Sequence, residues 1–206
     1  RLRDARAASA LVFAAVCVAT DKLTHELFLA WTRCFKKVKN SCLWILSSRP
    51  EDRQQIRKLW LSQGLSLDRL HFQRKPSTRD SGFLSKQEHL ARISLADLVL
   101  DSWVYNGHSS TVDAIQARVP ILCCLGSNWA SRTSASILKS VGLNKFTCTD
   151  KFEYEEYLDL LLSNPDLLNE WTLAFQKIDL SQHFSNWMNE FQSKLEMLAE
   201  NINYSD

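Results

Sequence analysis

The 206-residue chain lacks the glycine-rich signatures of the common nucleotide folds. It contains no Gly-x-Gly-x-x-Gly and no Gly-x4-Gly-Lys-Ser/Thr, which excludes the dinucleotide fingerprint and the P-loop. It contains no Gly-x-Ser-x-Gly, so the nucleophile elbow of the α/β-hydrolases is excluded too. No Cys-x-x-Cys occurs among its six cysteines, Cys17, Cys34, Cys42, Cys123, Cys124 and Cys148. That spacing argues against a zinc site, and their placement in apolar runs suits core thiols in a reducing compartment. The net charge is only +2, too small for a polybasic face toward nucleic acid or an anionic membrane. No apolar run reaches the roughly 18–20 residues of a membrane span. Repeats and low-complexity tracts are lacking as well.

What remains is a globular composition, 45% apolar and 23% charged, long enough for a sizeable core. ASALVFAAVCVA, residues 8–19, follows RLRDAR and mimics a signal peptide, but a βα pattern continues from it and it reads as a buried strand. THELFLAWTRCFKKV then reads as a helix capped by Thr24, with cations at its end. NSCLWILSS, LDRLHFQ, DLVLDSW, PILCCLG and a short KFTCTD read as further strands, with helical patterns between them. Apolar strands alternating with helices predict an α/β fold, a doubly wound parallel sheet covered on both faces. Residues 151–206 read as helices: FEYEEYLDLLLS, then DLLNEWTLAFQKI with Asp166 as its cap, then FSNWMNEFQSKLEMLAENI, whose aromatic and leucine positions read as a packing face. The expected organisation is a lobe over residues 1–150 with helices 151–206 packed on it.

In such sheets ligands bind at the carboxyl ends of strands. YNGHSSTVD, residues 105–113, lies at one of these ends, between a strand and a helix. Ser109 and Ser110 open that helix with free N–H groups and the positive end of its dipole, a place suited to phosphate. Gly107 would let backbone approach a ligand, and His108 would donate to it. The competing reading is a plain helix cap at Ser109. Asp113 is expected in the first turn, as a dipole-compensating acid or as an acceptor for sugar hydroxyls. In KQEHLAR, residues 86–92, helical spacing puts Lys86 with His89, and His89 with Arg92. That reads as a solvated helix face or as three donors for a nucleotide. Lys22, in TDKL, is a cation just past the first strand.

Together these stretches resemble glycosyltransferase family 41, the protein O-linked N-acetylglucosamine transferases. NGHSSTVD is similar to the family's Asn-Gly-His-Thr-Thr-x-x-Asp, and LSKQEHLARISLADLVLDS to its Ala-Pro-Lys-Glu-Glu-His-x-x-Arg and following Leu-Ala-Asp. NSCLWIL, ARVPILCCLG and WASRTSAS resemble its Asn-Ser-x-Leu-Trp, Gly-x-Pro and Leu-Ala-Ser-Arg stretches, in the same order. The resemblance implies a Rossmann-like lobe, the second of the two in a GT-B enzyme. It assigns Lys22 to the diphosphate of UDP and to catalysis, Lys86 and Asp113 to the ribose, His89 and Arg92 to the uracil, and His108, Ser109 and Ser110 to the phosphates. The implied donor is UDP-N-acetylglucosamine, with no cofactor and no metal. The implied acceptors are Ser and Thr of nuclear and cytoplasmic proteins, and transfer is inverting.

The sequence also departs from the family. Ala19 replaces a phosphate-contacting glutamine, Leu84-Ser85 replaces Ala-Pro, and the loop KPSTRDSG is longer. The first catalytic lobe and the helical repeats are expected on a longer chain. A non-catalytic nucleotide-sugar-binding fragment or pseudoenzyme, and a related O-fucosyl- or N-glucosyltransferase, are the alternatives.

Overall fold

The computed structural model describes residues 12–16, 22–46, 49–73 and 85–203. Ala19, Cys17 and the KPSTRDSG loop lie outside them. Six parallel strands form one sheet: β1 (Val12–Val16), β2 (Ser41–Leu46), β3 (Leu70–Gln73), β4 (Leu98–Leu100), β5 (Ile121–Cys124) and β6 (Thr147–Cys148). Their spatial order is β3-β2-β1-β4-β5-β6. The expected doubly wound sheet is present, and the order reverses between β1 and β4. KFTCTD shrinks to a two-residue edge strand, because Asn144–Phe146 turns as a 3-10 helix and Asp150 already caps the next helix.

Helices cover both faces: α1 (His25–Lys37), α2 (Pro50–Ser62), α3 (Lys86–Ile93), α4 (Ser109–Gln116), α5 (Thr133–Ser140), α6 (Lys151–Ser163), α7 (Pro165–Gln176) and α8 (Leu180–Asn203). Local chemistry explains their limits. The Thr24 hydroxyl accepts from Leu27 N at 3.2 Å, and Lys36 and Lys37 close α1 against its dipole. Pro50 opens α2, and Gly64 (φ +75°) follows its end. Ser85 starts α3 with a capping box: Glu88 N donates to the Ser85 hydroxyl, and Ser85 N donates to the Glu88 carboxylate. Asn164, one residue before Pro165, caps α7 by accepting from Asp166 N and Leu167 N. The cap expected at Asp166 is therefore corrected, since Pro165 already occupies the first helical position.

The core runs through both layers. Leu43, Ile45, Leu98, Leu100 and Leu122 are fully buried between helices, as a parallel sheet requires. Trp31, Phe35 and Trp60 are buried as one aromatic cluster, and Phe146, Trp171 and Phe175 as a second. The Trp31 indole donates to the Tyr154 hydroxyl, which donates to the Asp101 carbonyl, tying α1 and α6 to the end of β4. Arg118 adopts φ +61°, a conformation that glycine takes without strain, where the family pattern has glycine. Its guanidinium donates to the carbonyls of Phe175, Gln176 and Ile178, closing α7.

α6 and α7 bury Tyr154, Leu158, Leu161, Trp171 and Phe175 in this core. α8 differs. Phe184, Trp187, Met188, Phe191, Leu195 and Leu198 share one side and are exposed, so its apolar face has no cover among the described residues.

Candidate functional site

The site forms where the strand order reverses, at the carboxyl ends of β1 and β4, the usual ligand crevice of open α/β sheets. Beyond β4 the chain does not enter a helix directly. Residues 101–108 fold as a loop held from below by Asp101, which is fully buried. One carboxylate oxygen accepts from Ser102 N at 2.8 Å and from Gly107 N at 2.7 Å. Burial pushes the Asp101 carboxyl up to about 6; the Ser134 hydroxyl and the Gly107 and Ser102 N–H groups offset part of that rise. Asn106, also buried, donates from its side chain to Ser102 O and from its backbone to Ala130 O. The Gly107 carbonyl accepts from Thr111 and Ser134 hydroxyls, each at 2.9 Å. Asp101, Asn106, Thr111 and Ser134 form a buried polar support that the sequence reading did not single out. Its available signal was an aspartate closing an apolar strand, LVLD, six residues before a glycine.

This support sets the start of α4. The N-cap position belongs to His108, without a side-chain cap bond, so Ser109 is the first helical residue. The expected cap at Ser109 is corrected. The N–H groups of Ser109 and Ser110 have no backbone partner among the described residues, and Ser109 is exposed. Gly107 also changes role. A Cβ there would lie 2.4 Å from Ser110 Oγ and 2.8 Å from Thr111 Oγ1, so any side chain at 107 would force the hydroxyls of the helix start to shift. Asp113 lies in the second turn, not the first, and is buried. At that depth it is not a dipole-compensating acid.

α3 supplies the other wall. The Lys86 ammonium pairs with Asp113 Oδ1, and His89 Nε2 lies 2.9 Å from Asp113 Oδ2. Arg92 Nη2 lies 2.7 Å from His89 Nδ1. Residues read from two separate stretches therefore form one chain of contacts, Lys86–Asp113–His89–Arg92. A carboxylate held by a lysine and an imidazole stays oriented, and its remaining lone pairs can accept from hydroxyls.

Lys22 reaches the same loop from the β1 side. Its ammonium lies 3.5 Å from the Asn106 carbonyl and 3.7 Å from the centre of the Tyr105 ring. Tyr105 stacks on His108 at 5.2 Å and 16°, and the Trp129 ring meets His108 edge-on at 5.2 Å. His108 Nε2 is shielded from solvent and has no hydrogen-bond partner among the described residues. The eight candidate residues thus fall into two groups joined along α4: Lys22 beside the loop that carries His108 to Ser110, and Lys86, His89 and Arg92 linked to Asp113. Among the described residues no three His, Cys, Asp or Glu side chains gather as a metal cluster. The cysteines stand apart. Burial pushes Cys123 up to about 12 and Cys124 up to about 11, as expected for core thiols.

A sequence profile of glycosyl transferase family 41 matches residues 7–185. The chain belongs to that family. Over 148 residues it is 30% identical to a probable UDP-N-acetylglucosamine–peptide N-acetylglucosaminyltransferase, SEC, of Arabidopsis thaliana, covering 71% of this chain and 14% of that protein. It is 29% identical over 124 residues to the UDP-N-acetylglucosamine–peptide N-acetylglucosaminyltransferase of Caenorhabditis elegans, covering 60% of this chain and 10% of that protein. The family 41 chain thus spans only about one-seventh of the length of the Arabidopsis relative. Among solved structures, an O-GlcNAc transferase of Thermobaculum terrenum superposes with TM-score 0.66 at 17% identity, over 90% of this chain and 36% of that one. Anabaena HepE, solved with UDP and glucose, superposes with TM-score 0.58 at 15% identity, over 93% and 51%. These likenesses place the fold as a Rossmann-like lobe of the GT-B type.

Proposed function

We propose that this chain is the donor-binding half of a protein O-GlcNAc transferase. It would hold UDP-N-acetylglucosamine in the crevice between β1 and β4 for inverting transfer of the sugar to Ser or Thr of nuclear and cytoplasmic proteins. The observation that supports this reading is that the open start of α4 has Lys22 beside the loop leading into it and Asp113, held by Lys86 and His89, in its second turn. The names of the Arabidopsis and Caenorhabditis relatives supply the sugar donor and a peptide acceptor.

In this reading each group has a task. Asp113, held by Lys86 and His89, accepts from the ribose hydroxyls. His89 and Arg92 border the uracil. Lys22, His108 and the N–H groups of Ser109 and Ser110 surround the diphosphate. As the acceptor hydroxyl oxygen bonds to the anomeric carbon and gives up its proton to a base outside this chain or to solvent, the bond from that carbon to the β-phosphate oxygen breaks. The electron pair leaves with UDP, and fixed donors stabilise that growing charge without reorganising. No metal or cofactor enters the proposal.

The second reading is a lobe that binds the nucleotide sugar without transferring it. Other partners in the proposal are a first catalytic lobe and tetratricopeptide repeats. Calorimetry with UDP and UDP-N-acetylglucosamine tests the core of both readings. Saturable binding that Asp113→Ala weakens supports donor binding. No heat of binding at millimolar UDP would overturn it.

A further inference from the structure

We propose that Tyr105 is a positioning residue that holds Lys22 and His108 in register for the donor diphosphate, with Trp129 fixing the far side of the imidazole. This rests on the donor-binding reading above, and adds residues to which neither composition nor the motif assigned a task. The geometry is specific. One ring carries the Lys22 ammonium 3.7 Å from its centre and stacks on the His108 imidazole at 5.2 Å and 16°. The Trp129 ring closes on the same imidazole at 89°.

These rings are not core residues. Tyr105 is 39% exposed and Trp129 is 75% exposed. An exposed tyrosine and an exposed tryptophan gain little from burial, so their placement around one histidine calls for another account. Both stand on tied backbone. The Ser102 hydroxyl donates to the Tyr105 carbonyl, and Asn106, the next residue, is clamped to Ser102 O and Ala130 O. Trp129 sits in a 3-10 turn closed by reciprocal bonds of Asn128 and Ser131. The Asn106–Ala130 bond joins the two supports directly.

The physical consequence is preorganisation. A lysine on a flexible stem loses rotamer freedom when it grips a phosphate. An ammonium already resting on a π face has lost much of that freedom. Stacking likewise fixes the imidazole plane before a ligand arrives. Tyr105 would raise affinity for diphosphates without touching them, and leave the nucleoside contacts of Asp113 and His89 alone.

The test compares wild type, Tyr105→Phe and Tyr105→Leu by calorimetry with UDP and with uridine, alongside thermal midpoints. Leucine keeps apolar bulk but has no ring. The expected result is UDP affinity near wild type for Phe and roughly fivefold to tenfold weaker for Leu, with uridine affinity unchanged. A double-mutant cycle with Lys22→Met separates positioning from packing. If Tyr105 acts through Lys22, the Leu substitution has little further effect once Lys22 is gone. The His108 ring protons provide a readout independent of binding, upfield in wild type and Phe and relaxed in Leu. Unchanged UDP affinity in Tyr105→Leu would overturn the inference while leaving donor binding intact. Absence of UDP binding in wild type would overturn both. Parallel loss of UDP and uridine affinity in Leu would mean a structural role and would also overturn it.

Discussion

His89 Nε2 and Asp113 Oδ2 lie 2.9 Å apart, joining the helix before β4 to the helix after it. With Lys86 on the other carboxylate oxygen, Asp113 is oriented before any ligand arrives. Replacing a charged hydrogen-bonding group costs on the order of 1.5–3 kcal/mol. Asp113→Ala should therefore weaken both UDP and uridine by roughly 10-fold to 100-fold, measured by calorimetry. Loss of UDP affinity with uridine affinity intact would move Asp113 away from the ribose.

Lys22 should behave in the opposite way. It reaches the loop through Asn106 O and the Tyr105 ring, the side proposed above for the diphosphate. Lys22→Ala should lower UDP affinity by roughly 10-fold or more and leave uridine unchanged. Removing one cation should also flatten the salt dependence of UDP binding. Equal losses for UDP and uridine would contradict a phosphate contact.

Gly107→Ala should damage the site from beneath. The added Cβ meets the hydroxyls of Ser110 and Thr111, and the Gly107 carbonyl and N–H anchor the buried support. Overpacking of this kind costs about 1–3 kcal/mol, so both the thermal midpoint and UDP affinity should fall. Gly142 is the control, with φ +77° and nothing within 4 Å of a built Cβ. Gly142→Ala should lower stability through backbone strain alone and spare UDP affinity.

The sheet was legible in the sequence because its strands are short apolar runs between periodic helices, and a strand buried on both faces needs that pattern. Lys86, His89 and Asp113 were legible as types at helical spacing. Their mutual contacts were not, since Asp113 is 24 residues from His89 and only the crossover through β4 brings them together. Asp113 and the Ser109 cap shifted for one reason: His108 takes the N-cap position, where sequence favours a hydroxyl or an acid. Asp101 escaped notice because its work is done by backbone N–H groups, which leave no mark in side-chain spacing. The apolar stripe of α8 was legible as a face, but periodicity does not name what covers it.

Asp101 gives the last prediction. Its folded carboxyl is pushed up to about 6 by burial, from an ordinary value near 3.8. Below the ordinary value, folded and unfolded chains both hold the proton. Between the two values the folded chain holds it and the unfolded chain has lost it. Stability contributed by this group is therefore full at low pH and declines as pH rises through about 6, by at most ~3 kcal/mol. Asn cannot ionise, yet its side-chain oxygen can still accept from Ser102 N and Gly107 N. Asp101→Asn should therefore show a shallower fall in urea stability between pH 4.5 and 7.5 than wild type, on the order of one titrating carboxyl. Other groups titrate equally in both proteins, so the difference between the two curves isolates Asp101. Parallel curves would show that its carboxyl titrates at an ordinary value and that the buried support is not paying for a charge.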